Sequence, residues 1–73
     1  MPPGRLNMSE MSEREIIELA AILVNEHGHD ALAVAERRRD QYARERHSAS
    51  YRLWSKIAAA TARMLRMKQR EDA

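Results

Sequence analysis

Cysteine and phenylalanine are absent from this chain of 73 residues, and glycine, proline, tyrosine and tryptophan are scarce. Without cysteine, the chain has no disulfide, no thiolate ligand for a metal and no thiol chemistry. A core must therefore be built mainly from alanine, leucine, isoleucine, valine and methionine. Because alanine favours helix and glycine is rare, this composition predicts a helical protein.

Long apolar runs are also missing, since none approaches the roughly 20 residues that a membrane-spanning helix needs. The first five residues, MPPGR, lack the apolar segment of a secretory signal peptide. We therefore expect a cytoplasmic protein with no membrane partner. The chain has no glycine-rich phosphate loop, no suitably paired carboxylates and no serine next to a base at motif spacing, so we expect no enzyme activity, no catalytic residue, no cofactor and no small-molecule substrate.

The hydrophobic pattern predicts an all-α domain in which two helices form a hairpin and a longer third helix packs across them. Flexible tails are expected on both sides of this domain. The expected helices are at about residues 13–27, 31–46 and 50–69, the domain at 12–70, and the tails at 1–11 and 71–73.

The helix ends carry recognisable signals. Ser12 and Glu15 have the spacing of a capping box, and Met11 precedes them as one half of a hydrophobic staple. Gly28 is suited to ending the first helix. Candidate N-caps are Asp30 for the second helix and Ser48 or Ser50 for the third.

Each predicted helix has an inner face, because apolar residues recur at intervals of three and four. These faces comprise Ile16, Leu19, Ala20, Leu23 and His27 in the first helix, Ala31, Leu32, Ala35, Tyr42 and Ala43 in the second, and Trp54, Ile57, Ala58, Thr61, Met64 and Leu65 in the third.

Charge is sorted along the chain. Residues 1–30 contain two basic and six acidic side chains, whereas residues 31–70 contain eleven basic and three acidic ones. Segregation of this kind indicates an anionic partner or an acidic surface in the same assembly. The third helix contributes most to it, with five cations on one side of the helix: Arg52, Lys56, Arg63, Arg66 and Arg70.

Three interpretations of these five cations stay open: an ordinary solvated face, a nucleic-acid contact with weak sequence specificity, and a contact with an acidic protein surface. Solvated faces usually mix charges, because like charges four residues apart are destabilising. We hypothesise a small non-enzymatic interaction or regulatory protein, with nucleic-acid binding as the alternative. A homodimer would also account for the sorting, with Glu15, Glu18 and Glu26 of one copy facing Arg63, Arg66 and Arg70 of the other.

Other groupings have simpler structural explanations. His27, His29 and Asp30 could ligate a metal, but helix-end roles account for each of them, so we expect no metal site. Residues around Gly28 match a helix-turn-helix poorly. Tyr51 and Trp54 could stack on bases, but Trp54 lies in the middle of an inner face and is expected in the core.

The run from Ala21 to Ala31, followed by Ala35, Arg38 and Trp54, resembles a group of small uncharacterised helical proteins of alphaproteobacteria. Those proteins share a Leu-Val-x-x-His-Gly-x-x-Ala turn and a later Trp-x-x-Ile-x-x-Ala helix. The resemblance covers roughly residues 20–65. It implies a small bacterial helical protein and a packed helix end at His27-Gly28, and it transfers no activity or site residue.

Overall fold

The computed structural model describes residues 11–72, with side chains for 11–70, and this part of the chain is almost entirely helical. Helix α1 spans Glu13–His27, a 3-10 turn spans Gly28–Asp30, α2 spans Ala31–Arg44, and α3 spans Ser48–Asp72. No strand occurs within residues 11–72, so the all-α prediction is confirmed.

The prediction of three separate helices is wrong. The 3-10 turn joins α1 directly to α2 with no loop between Glu13 and Arg44, so α1 and α2 are the two arms of one long, bent helix, and α3 is the second helix. The bend lies at Gly28, whose φ of 59° and ψ of −130° are accessible essentially to glycine alone. The Gly28 amide still donates to the Val24 carbonyl. Gly28 is the C-cap residue of α1, as predicted, but the chain continues at once into the 3-10 turn and α2, so this residue also makes the bend.

The bend also removes the predicted cap at Asp30. The backbone of Asp30 is already helical (φ −82°, ψ −5°), and its side chain accepts no capping hydrogen bond. An N-cap residue needs an extended backbone to fold its side chain over the first turn. Here the 3-10 turn takes part of that role, because the Ala31 amide donates to the Gly28 carbonyl.

The start of α1 agrees with the sequence. The Ser12 hydroxyl accepts from the Glu15 amide at 3.2 Å, and the Glu15 carboxylate accepts from the Ser12 amide at 2.8 Å. Met11, which we had placed in the N-terminal tail, packs against the core. The rest of that predicted tail, residues 1–10, lies outside the described residues.

Both arms of the bent helix pack mainly against α3 and contact each other less. The predicted hairpin of the first two helices is therefore wrong, and the helical hairpin is formed by α2 and α3. The buried apolar residues form one cluster between α3 and the two arms. The buried side chains are Ile16, Ala20 and Leu23 from α1, Ala31 and Ala35 from α2, and Leu53, Trp54, Ile57, Ala58 and Thr61 from α3.

Two residues assigned to inner faces are exposed, namely His27 and Ala43. Each lies beyond the last buried position of its helix, which is Leu23 in α1 and Ala35 in α2. Periodicity places a residue on a face of its helix, but it does not say how far along that face the neighbouring helix extends.

The turn between α2 and α3 comes earlier than predicted, at residues 45–47. The His47 amide donates to the Tyr42 carbonyl at 3.0 Å, and the Arg46 amide donates to the Ala43 carbonyl at 3.2 Å. This is a Schellman motif, and it places Arg46 in the left-handed region with φ of 61°. The rings of Tyr42 and His47 pack edge to face, with their centroids 6.0 Å apart. A side-chain contact between these two positions commonly accompanies a Schellman motif.

Helix α3 is longer than predicted at both ends. It begins at Ser48, and the His47 carbonyl accepts its first hydrogen bond, from the Tyr51 amide at 2.8 Å. His47 therefore occupies the position before the helix, and neither Ser48 nor Ser50 is the N-cap. It continues to Asp72, through part of the predicted C-terminal tail. Residues 66–70 are exposed. The last turns of α3 therefore extend beyond the core.

Replacing Arg46 by glycine should stabilise the fold by about 0.5–1 kcal/mol, because glycine adopts the left-handed conformation without the Cβ clash of an L-residue. The matched control is Arg44→Gly, which removes the same charge from a helical position and should cost about 1 kcal/mol. Urea unfolding followed by circular dichroism measures both changes. Equal effects of the two substitutions would contradict the Schellman geometry.

Gly28→Ala should destabilise the fold by about 1–3 kcal/mol, since alanine does not readily adopt the backbone conformation of the bend. The cost comes from the local backbone alone, because a Cβ at Gly28 would meet no atom of the surrounding structure within 4 Å. The control is His29→Ala, whose exposed side chain should change the free energy of unfolding by less than about 0.5 kcal/mol. A Gly28→Ala protein as stable as this control would show that the bend does not need glycine.

Candidate interaction face on helix α3

Five basic residues of α3 share one side of the helix and are all exposed. At 100° per residue they lie within about 80° of the helix circumference, and the first and last are about 27 Å apart along the axis. We call this surface the basic face: Arg52, Lys56, Arg63, Arg66 and Arg70. The structure thus brings together the residues singled out from the sequence.

The basic face lies away from the core because the buried side of α3 is occupied by Leu53, Trp54, Ile57, Ala58 and Thr61. Ile57 and Thr61 are fully buried, and the Thr61 hydroxyl donates to the Ile57 carbonyl at 2.7 Å. Packing against both arms of the bent helix therefore fixes the rotation of α3, and with it the direction of the five cations.

None of these cations has a carboxylate partner among the described side chains. The ion pairs of residues 11–70 lie elsewhere: Arg14 with Glu18 at 3.8 Å and Arg39 with Asp40 at 3.1 Å, besides two contacts that involve histidine. Arg52 and Lys56, like Arg66 and Arg70, are four residues apart, a spacing at which like charges repel by a few tenths of a kcal/mol. The basic face therefore carries concentrated positive charge at a small cost in stability.

Apolar groups lie beside these cations. A groove of about 340 Å³ runs between α1 and α3, with Ile16, Ile17 and Ala60 on its walls and the charged residues Glu13, Lys56 and Arg63 beside them. Further along α3, a depression of about 360 Å³ is lined by Arg63, Arg66, Met67 and Arg70. Met67 is 56% exposed. A partner could thus place an anionic group and an apolar side chain on the basic face together.

Aromatic side chains contribute little to this face. Trp54 is buried, as expected of a core residue, and its indole Nε1 has no hydrogen-bond partner among the described residues. The Arg38 guanidinium of α2 lies over the indole, 5.3 Å from the ring centroid, in a cation–π contact. Sequence reasoning missed this contact, because α2 and α3 meet only through tertiary packing. Tyr51 is exposed, but on the helix it lies about 100° from Arg52.

Other candidate residues are not gathered into a site. His27, His29 and Asp30 are exposed at the bend, and His27 lies 3.9 Å from Glu26. Within residues 11–70, no group of three or more histidine, aspartate or glutamate side chains is placed to hold a metal ion. No helix in the described part of the chain is long and apolar enough to cross a membrane.

No family model matches the chain, and neither a curated protein nor a solved structure is significantly similar to it.

Arg52→Glu should stabilise the isolated protein by about 0.5 kcal/mol, because it replaces a repulsive pair with an attractive Glu-to-Lys56 pair near the N-terminal end of α3. Thermal unfolding at low and high salt measures the change, which should shrink as salt screens the charges. Arg37→Glu is the control, because it makes the same charge change on α2, outside the basic face. A gain for Arg37→Glu as large as that for Arg52→Glu would indicate a net-charge effect in place of local repulsion.

Proposed function

We propose that this protein is a non-enzymatic interaction module, with a regulatory role, whose basic face binds an acidic surface of a protein partner. The observation that carries the proposal is the set of five exposed cations without a carboxylate partner among the described side chains. If this face served only to keep the protein in solution, mixed charges would make the helix more stable. The excess of positive charge on α3 therefore favours the binding of an acidic surface.

The presence of Met67 among these cations favours a protein partner. Its side chain is the most exposed large hydrophobic group of the described residues. Methionine and arginine are both enriched at protein interfaces, where an apolar centre is surrounded by polar groups. An acidic helix with an apolar residue between its carboxylates has the chemistry that fits this surface.

Nucleic acid is the alternative partner, and the length of the basic face favours it. Five cations spread over about 27 Å of helix could follow a phosphate backbone and release its counterions. Only one exposed aromatic residue, Tyr51, lies beside the described part of the basic face, next to Arg52 at its end, whereas binding of single-stranded bases usually uses several stacking residues. We therefore place a protein partner first. The cytoplasm is the compartment we propose, because the chain contains no cysteine.

The two alternatives differ in which probe binds at about 150 mM salt, where weak phosphate contacts are strongly reduced. Fluorescence anisotropy compares a labelled acidic amphipathic peptide, with glutamates on either side of a leucine, with labelled duplex DNA and single-stranded RNA. We expect the peptide to bind and the nucleic acids not to bind. The double variant Arg63→Ala, Arg66→Ala should weaken the binding of the peptide about tenfold, which corresponds to about 1.4 kcal/mol.

The control variant is Arg37→Ala, Arg44→Ala, which loses the same charge from exposed positions of α2. It should leave the peptide affinity within about twofold, since these arginines lie outside the basic face. Tight binding of DNA or RNA that weakens steeply with salt and depends on Arg63 and Arg66 would favour the alternative. Binding of neither probe would overturn the proposal.

A further inference from the structure

The two most exposed large hydrophobic residues of the described side chains each have two like charges three or four residues away, one on either side along the helix. They are Ile22 on α1, which is 51% exposed, and Met67 on α3, which is 56% exposed. Carboxylates flank Ile22, and arginines flank Met67. One chain therefore carries both halves of a complementary pair of surfaces.

The acidic patch consists of Glu18, Ile22 and Glu26, which are four residues apart and lie along one side of α1. The side chains of Glu18 and Glu26 are 65% and 63% exposed. Each makes a long ion pair within the chain, with Arg14 at 3.8 Å from Glu18 and His27 at 3.9 Å from Glu26. Exposed ion pairs of this kind contribute little to stability, so both carboxylates remain available to another partner.

The basic patch consists of Arg63, Met67 and Arg70, and it combines two cations of the basic face with the exposed methionine near the C-terminal end of α3. Its cations are about 10 Å apart along the helix axis, and the carboxylates of the acidic patch are about 12 Å apart. Two helices laid side by side could thus place Ile22 on Met67 with an ion pair on either side. This is the arrangement of a small interface with an apolar centre and a charged rim.

The two patches do not meet within one chain. Arg63 also borders the groove between α1 and α3, but no ion pair joins the residues of the two patches. The acidic patch of one copy could reach the basic patch only on a different molecule.

We propose that the acidic surface bound by the basic patch is the acidic patch of a second copy of this chain. The inference rests on the proposed function and specifies its partner. Three observations support this inference: the charged residues of the two patches have similar spacing, the two patches have opposite charge, and each patch has an exposed apolar residue between its charges. The charge sorting along the chain then serves self-recognition, because like patches repel and unlike patches attract.

Charge reversal tests this interface with two variants: an acid-reversed protein (Glu18→Lys, Glu26→Lys) and a base-reversed protein (Arg63→Glu, Arg70→Glu). In analytical ultracentrifugation at about 100 µM, above the micromolar Kd typical of a small interface, the wild type should associate. Each variant alone should remain monomeric, since its two patches then carry the same sign. An equimolar mixture of the two variants should associate again.

The apolar centre is tested separately from charge. Ile22→Ser should weaken self-association about tenfold, because it removes the desolvated contact with Met67. Tyr51→Ser is the control, since Tyr51 is similarly exposed (40%) but lies outside both patches. Circular dichroism should show the same helix content for every variant. Equal effects of the two serine substitutions would overturn the assignment of this patch.

A wild-type protein that stays monomeric at this concentration, together with a variant mixture that does not associate, would overturn self-association. If the monomeric wild-type protein still bound the acidic peptide through Arg63 and Arg66, the proposed function would stand, and the partner would be a different protein. If peptide binding were absent as well, both proposals would fall. Association of the wild type that persisted in both charge-reversed variants would also overturn this interface.

Discussion

The packing of one side of α3 against both arms of a bent helix is the contact on which the rest of the structure depends. The bent helix supplies small residues, since Ala20, Ala31 and Ala35 are all fully buried. These alanines allow close approach to α3, where Trp54 and Ile57 fill the space between the helices. Without that contact, neither arm of the bent helix would be stable in water, because short isolated helices are marginal.

This packing fixes the rotation of α3 about its own axis. Once its apolar side is buried, the five cations of the basic face must point to solvent, and Met67 is left among them beyond the end of the core. On α1, the same contact buries Ile16 and Leu23 and leaves Ile22 outside, between Glu18 and Glu26. The two charged patches are therefore consequences of how a thin core is arranged. Their complementary spacing is the basis of the proposed self-association.

Local backbone geometry adjusts the direction of the chain around this core. Gly28 bends the helix through a conformation that other residues avoid, and Arg46 closes the Schellman turn in a left-handed conformation that glycine usually occupies. The Arg46 turn lets α2 and α3 form a hairpin, in which Arg38 reaches the indole of Trp54. Two positive-φ residues thus position both arms of the bent helix on α3.

The sequence by itself determined the features that depend on near neighbours along the chain. The capping box of Ser12 and Glu15, the all-α class and the grouping of the five cations follow from residues three to eighteen positions apart on a regular helix. Only the tertiary structure decided that Gly28 bends the helix, that Arg46 makes the turn and that Ile22 and Met67 stay exposed. Glycine permits several backbone conformations, and the covering of a helix face depends on residues distant in sequence, so long-range packing makes these choices.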